Sequence, residues 1–380
     1  MQNNLGLLLL FSLSFSFCTV KKEPTIANEE PAKKYRTIAY VNRIADNWGE
    51  DFEKAKQITH INFAFANIKD GRMVEGKPED GATIQKLQQL KKVNPELKIL
   101  VSVGGWTWSK NFSDAVLTPE SREIFAQSAL DFLKKHQLDG IDLDWEYPGL
   151  PGNGNPHRPE DKENFTAILQ LIREKLDAYG NGQTHYLLTI ATGASKAYLE
   201  HTNMAEAQKY LDFINIMTYD FHGAGEDKTG HHANLFVSEY DDNSVALCAA
   251  TAVQQHLAAG IPADKLVLGV PFYGRWWHGV ESVNNGCYQS RTIKGGGAYT
   301  YQFIADSLLN QNGFQYHWDE SAKAPYLWRP SDGQFVTYEN PTSLKIKVDF
   351  VKAKGLSGVM FWEFNGDNGA LLPAISEYLR

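Results

Sequence analysis

The chain has 380 residues, a formal net charge of −8 and a hydrophobic fraction of 43%, with nine tryptophans. That suits one large domain or two ordinary ones, with aromatic side chains beyond what a core requires. Acids and bases are interspersed without an extended basic patch, which argues against a nucleic acid partner. The first element is the nearly all-apolar run Leu5 to Phe17, ending at Cys18 and followed by Lys21-Lys22-Glu23-Pro24. It is too short for a membrane span and has the form of an export signal, assigned to residues 1–20, with 21–34 as a linker. Cys18 resembles the lipid-acceptor cysteine of a bacterial lipoprotein, although Phe17 is bulky where a small residue is expected. The expected location is therefore outside the cytoplasm: secreted, periplasmic or lipid-anchored at a bacterial cell envelope.

From Tyr35 onward, short apolar runs alternate with amphipathic segments. Strands are predicted at Thr37 to Val41, His60 to Ala66, Lys98 to Val103, Gly140 to Tyr147, Tyr186 to Thr192, Phe213 to Tyr219, Leu266 to Phe272 and Gly358 to Phe364. Between them, Ile124, Phe125, Ala129, Phe132 and Leu133 recur at helical spacing, as do Phe165, Ile168, Leu169, Ile172 and Leu176. Thr118-Pro119 reads as an N-cap followed by a first-turn proline. Eight β-then-α units, with runs suited to parallel strands buried on both faces, predict an α/β chain folded as a (β/α)8 TIM barrel. Residues 273–339, between strand 7 and helix 7, break this rhythm with Gly/Asn-rich turns and aromatic strand-like pieces. The interval is too long for a loop and reads as a small inserted α+β domain. The barrel then comprises 35–272 and 340–380, with the next helix starting near Asn340-Pro341 and running to Lys354.

Cys248 lies in a helical pattern and Cys287 in a Gly/Asn-rich loop. They read as isolated thiols rather than a disulfide framework. No Cys/His spacing has the form of a zinc site, and His231-His232, as strand neighbours, would point apart. Neither metal nor cofactor is expected, and the chain is expected to act as a monomer.

The segment richest in chemistry is Asp139 to Tyr147. Asp142, Asp144 and Glu146 alternate with Ile141, Leu143 and Trp145, the period of a strand, so the three carboxylates share one face. Acids in such a row repel one another and are costly to desolvate. They are kept either to bind a cation or to hold shifted pKa values for proton transfer. Their place at the C-terminal end of the fourth strand is where this barrel gathers active sites.

The run Asp139 to Glu146 resembles the DxxDxDxE signature of glycoside hydrolase family 18, the chitinases and their relatives. Ser102-Val103-Gly104-Gly105-Trp106 resembles the family's SxGG segment, Met217-Thr218-Tyr219-Asp220 its strand-six segment, and Tyr273-Gly274-Arg275 its YGR segment. Trp362 resembles the tryptophan that floors the catalytic subsite. The resemblance covers residues 35–380 and implies retaining, substrate-assisted hydrolysis of β-1,4 bonds between N-acetylglucosamine units of chitin or chitooligosaccharides. It implies Glu146 as the acid and then the base, its pKa raised by the neighbouring Asp144 charge. It also implies Asp144 as acceptor of the acetamido N–H, Asp142 as a proton-sharing partner, and Tyr219 as donor to the acetamido oxygen. Asp220 and Arg275 would bind sugar hydroxyls or the next N-acetyl group. Trp106, Gly105 and Met217 would line the site, and Tyr40 and Ser102 would support the inner aspartate. Asp139 is expected to be structural.

One departure from the family pattern falls at Gly225, where many chitinases carry a stacking tryptophan. Its absence predicts weaker binding on the product side, with Trp276 and Trp277 as partial substitutes. Two other activities remain compatible with the resemblance, an endo-β-N-acetylglucosaminidase acting on glycoprotein glycans and a lectin. The acid at Glu146 and the long insertion favour the chitinase branch.

Overall fold

The computed structural model describes residues 1–2, 34–43, 51–243 and 245–379. The apolar run Leu5 to Phe17 and Cys18 lie outside the described residues. Among the described residues no helix is long and apolar enough to cross a membrane. The unit Tyr35–Arg380 carries the architecture.

The apolar runs become strands because their alternate residues find apolar surroundings on both faces of one sheet. In chain order these are β1 (Arg36–Val41), β2 (His60–Lys69), β3 (Arg72–Glu75), β4 (Lys98–Gly104), β5 (Gly140–Asp144), β6 (Leu187–Gly193), β7 (Phe213–Met217) and β8 (Leu266–Pro271). Five strands of a second sheet follow: β9 (Tyr273–Trp277), β10 (Gly296–Thr300), β11 (Gln315–Asp319), β12 (Ala324–Arg329) and β13 (Gln334–Thr337). The last strand is β14 (Gly358–Trp362). Strands β1, β14, β8, β7, β6, β5, β4 and β2 pair in parallel in that order, and β1 against β2 closes the ring. This is the (β/α)8 TIM barrel expected from the sequence. β3 is an antiparallel arm on β2, with Ala66 opposite Glu75.

Strand alternation sorts the core into two parts. Ile38, Tyr40, Ala64, Phe213, Val267 and Met360 fill the barrel interior. Ala39, Val41, Ile61, Phe63, Ile141 and Leu143 face outward into the layer shared with the helices. The helix Pro119–His136 begins with a capping box between Thr118 and Ser121. The helix Pro341–Ala353, which returns the chain to β14, is capped in the same way. Asn340 Oδ1 accepts from Ser343 N at 2.9 Å, and Ser343 Oγ accepts from Asn340 N at 2.9 Å. Asn340→Ala is expected to cost about 1 kcal/mol through loss of this cap, read as a lower urea midpoint; an unchanged midpoint would show that the cap contributes nothing.

The second sheet is antiparallel throughout, in the order β10-β9-β13-β12-β11. One of its faces buries Trp277, Tyr288, Tyr326, Trp328 and Phe335 together with Cys287. β9 follows β8 after the single residue Phe272, so Tyr273 and Arg275 enter at the rim of the barrel.

The structure shortens three predicted strands at the same end. Runs expected to reach Tyr147, Tyr219 and Phe364 leave the ladder at Asp144, Met217 and Trp362. The apolar alternation continues past the ladder because the following residues are also buried, against loops instead of strands.

Candidate active site

The barrel places Asp142 deepest of the three acids, fully buried. Its Oδ2 accepts from Tyr40 Oη at 2.9 Å and Ser102 Oγ at 2.7 Å, and its Oδ1 accepts from Thr189 Oγ1. Asn215 Nδ2 donates to Tyr40 Oη at 3.2 Å. Burial pushes the Asp142 carboxyl above its ordinary pKa, and the hydroxyl donors recover only part of that rise. Asp144, two residues further along the same face, is also buried, and its Oδ1 has no hydrogen-bond partner. Burial, then the charges of Glu146 and Asp142, hold its carboxyl well above the usual range.

Glu146 does not lie on the strand with the two aspartates, contrary to the alternation argument. Its N–H leaves the ladder for Ser109 Oγ at 2.9 Å, and its carbonyl accepts from Asn155 Nδ2. Ser109 Oγ also lies 3.1 Å from the Asp144 carbonyl oxygen, so this one hydroxyl clamps the end of β5. The Glu146 side chain still reaches the same cleft as Asp144. Its pKa is raised to about 7, chiefly by burial, with the Asp220 charge adding and a Tyr147 hydrogen bond opposing. The Asp144 charge, expected to favour this rise, is not its leading cause: burial leads, and repulsion between the two acids shows in the raised Asp144. The pair titrates as one system. Trp145, between them, points away and stacks on Phe112 at 5.1 Å.

Trp362 forms the floor, stacked on Phe65 with centroids 5.4 Å apart and 19° between planes. Gly104, the last residue of β4, and Gly105 after it leave room for these close approaches. A Cβ on Gly105 would stand 2.6 Å from the Phe65 ring, and one on Gly104 2.4 Å from the Asp144 carbonyl oxygen. Tyr219 leaves β7 with its ring edge-on to Tyr273 at 6.2 Å. Asp220 adopts a left-handed φ of 57°. Arg275 grips it bidentately, Nε to Oδ1 and Nη2 to Oδ2, each at 2.7 Å. Tyr273 Oη adds a bond at 2.8 Å, and His232 Nδ1 lies 3.5 Å from Oδ1. Burial alone would raise this carboxyl; the adjacent His232 imidazole and the Arg275 hydrogen bonds outweigh it and hold Asp220 far below the usual carboxylate range. Glu146 and Asp220 are thus driven in opposite directions, the pattern expected where one acid must keep its proton and its neighbour must not.

These groups converge on a cleft of about 1310 Å³. Glu146, Asp144, Tyr219, Asp220, Arg275, Met217, Trp106 and Trp362 all line it, together with Phe65, Trp108, Tyr147 and Tyr299. Trp106 keeps 52% of its surface exposed, an open aromatic face at the cleft wall. Asp142, Tyr40 and Ser102 lie beneath the lining, and Gly104 rather than Gly105 borders the cleft. Asp139 sits at the other end of β5, accepting from Lys91 Nζ at 2.6 Å and Ile99 N at 2.7 Å.

The Glycosyl hydrolases family 18 model matches residues 36–367. The chain belongs to that family. Chitinase A1 of Niallia circulans is 39% identical across 97% of this chain, which in turn spans only 61% of that relative's length. Chitinase B of Serratia marcescens is 34% identical, over 86% of this chain and 77% of its own. Among solved structures, a family 18 N-acetylglucosaminidase from Paenibacillus barengoltzii is similar with a TM-score of 0.84 at 40% identity, covering 91% of this chain and 100% of that one.

Several residues of this family 18 site escaped sequence reasoning. Thr189 supplies a third hydroxyl to Asp142 from within an apolar strand, where its only signal was a polar residue at an inward position. Ser109 opens the short helical turn Ser109–Asn111 and Asn155 lies in a loop, neither within a periodic pattern, while Tyr147 follows the predicted acid row with no role assigned to it. His232, which the sequence offers only as a weak metal candidate, faces Asp220. At the Gly225 departure, Gly223, Ala224 and Gly225 border the cleft without an aromatic ring. Arg291 holds this stretch by the Ala224 carbonyl at 3.0 Å and the Gly225 carbonyl at 3.3 Å. Trp277 is fully buried inside the second sheet and offers no face to the cleft. Trp276 stacks on Tyr299 at 5.4 Å.

Proposed function

We propose that this chain hydrolyses β-1,4 bonds between N-acetylglucosamine units of chitin or its oligosaccharides, with retention and with the substrate's acetamido group as nucleophile. The observation that carries this reading is the buried, unpartnered Oδ1 of Asp144 beside a Glu146 carboxyl raised to about 7. A buried acceptor without a donor is costly, and a substrate N–H removes that cost.

The sugar ring rests on Trp362, and Glu146 gives its proton to the glycosidic oxygen as the bond to the anomeric carbon breaks. Asp144 accepts the acetamido N–H and turns the carbonyl oxygen toward that carbon, where it bonds and forms an oxazolinium ion. Tyr219 donates its hydroxyl to the acetamido oxygen. The Asp144 carboxylate stabilises the positive charge, and Asp142, held by Tyr40, Ser102 and Thr189, shares the proton load of the pair. Water, deprotonated by the now ionised Glu146, opens the ring and restores the starting protonation state.

Because the reaction needs protonated Glu146 in the free enzyme, kcat/KM is expected to fall above about pH 7 with a slope approaching tenfold per unit. A profile level to about pH 9 would contradict the assignment of the acid. Product analysis on chitin oligomers alongside an N-glycoprotein tests the substrate: oligomer cleavage without glycan release supports the proposal, and the reverse pattern overturns it. The likeness to an N-acetylglucosaminidase over that protein's whole length supports a second reading, release of single sugars, which the same product analysis separates. The apolar run Leu5 to Phe17 supports action outside the cytoplasm.

A further inference from the structure

Away from the cleft, His231, Cys287 and Asp319 meet beneath the second sheet. Their ligand atoms all lie within 4.8 Å of one another, and all three residues are buried. His231 Nε2 stands 3.2 Å from Asp319 Oδ2 and 3.7 Å from Cys287 Sγ. The residues are 56 and 88 positions from His231, which is why no sequence spacing announces them.

The arrangement does not suit a proton relay. In a relay the acid and the thiol flank the imidazole on opposite nitrogens. Here both face Nε2, while Nδ1 is turned to Thr337 Oγ1 at 3.3 Å. A single N–H on Nε2 serves one of these two partners and leaves the other without it. A cation serves both at once, and Nδ1–H then donates outward to Thr337, as metal-bound imidazoles do. The two separations from Nε2, 3.2 and 3.7 Å, also approach the edges of a tetrahedron, about 3.3–3.6 Å for metal bonds near 2.0–2.1 Å to N and O and 2.3 Å to S.

We propose that His231, Cys287 and Asp319 form a structural zinc site that staples the loop after β7 to the second sheet. One nitrogen, one sulfur and one oxygen donor suit zinc among the common divalent ions. Thiolate and carboxylate together neutralise the dication, which suits a site enclosed by aromatic rings. Tyr288, Tyr326 and Phe335 surround the imidazole at centroid distances of 5.8, 5.7 and 6.4 Å. The Asp319 carboxylate is already oriented: Oδ1 accepts from Ser321 Oγ at 2.6 Å and Ala322 N at 3.0 Å, and Oδ2 accepts from Ser238 Oγ at 2.5 Å. Cys287 is a free thiol, not paired with Cys248. The consequence reaches the cleft through the next residue. His232 presents its ring to Asp220, and its carbonyl accepts from Phe221 N at 3.1 Å. A staple at His231 therefore fixes the backbone that holds Asp220 in place.

The test uses the full chain, purified by gel filtration in chelator-treated buffer after exposure to zinc sulfate. The wild type is expected to retain stoichiometric zinc, and Cys287→Ser to lose it. Cobalt in place of zinc is expected to give a thiolate charge-transfer band and tetrahedral d–d bands that are absent from Cys287→Ser. Strong chelation is expected to lower the wild-type melting temperature by roughly 5 °C or more and to leave that of Cys287→Ser unchanged. A wild-type chain that holds no zinc, or a Cys287→Ser chain that holds as much as the wild type, overturns the proposal. The outcome is independent of the glycosidase reading, because Glu146→Gln is expected to retain full zinc.

Discussion

Glu146→Gln is expected to reduce kcat on chitooligosaccharides by on the order of 10³-fold or more, the scale of a lost general acid that also serves as base. Oligosaccharide affinity, measured by calorimetry, should stay within severalfold of wild type, since the substituted amide keeps the shape of the cleft and the Trp362 floor. Substantial residual turnover would sink the assignment. The same variant carries a second, opposite expectation. The Glu146 pKa is about 7 in the folded chain against about 4.3 in an unfolded one, so its contribution to stability is fully present below the unfolded value and lost once the pH has risen through 7. The amide does not ionise. At about pH 8 the variant should be more stable than wild type by on the order of 2–4 kcal/mol in urea unfolding, and the gain should shrink toward pH 4. A site that loses activity and gains stability by one substitution has been keeping a buried acid for its chemistry.

Asp144→Asn is expected to be the next most damaging change, lowering kcat by on the order of 10²–10³-fold. It removes the negative charge next to the oxazolinium ion and leaves an amide in place of the acceptor that orients the acetamido group. The loss should fall on kcat more than on KM, because the interaction strengthens as positive charge develops. Equal losses in binding of substrate and of an uncharged product would instead assign Asp144 a purely structural role. Asp142, fully enclosed and held by Tyr40, Ser102 and Thr189, does not reach the cleft lining, so the proposed mechanism has it act through Asp144.

Much of this is legible in the sequence. The barrel is written in eight apolar runs, and the capping residues Thr118 and Asn340 stand where the helices begin. The cleft residues carry family motifs in chain order. What stayed hidden has two physical causes. Periodicity reports burial, not pairing, so it carried the strands past Asp144 and Met217 into segments buried by loops. Contacts between distant elements have no local signature, so Thr189 on Asp142, Ser109 at the end of β5, and the meeting of His231 with Cys287 and Asp319 appear only when the chain is folded. The acid row is the instructive case. Alternation correctly brought Asp144 and Glu146 to one cleft, while Ser109 rather than a neighbouring strand holds Glu146 there.

The central claim is that the substrate's own acetamido group is the nucleophile, and one series measures it directly. Aryl glycosides of chitobiose whose reacting sugar carries N-acetyl, N-fluoroacetyl, N-difluoroacetyl or N-trifluoroacetyl groups differ in the nucleophilicity of that carbonyl oxygen and little in size. The account predicts that kcat/KM falls steeply and steadily along the series. Rates that stay level across it would place the nucleophile on the protein and contradict the account.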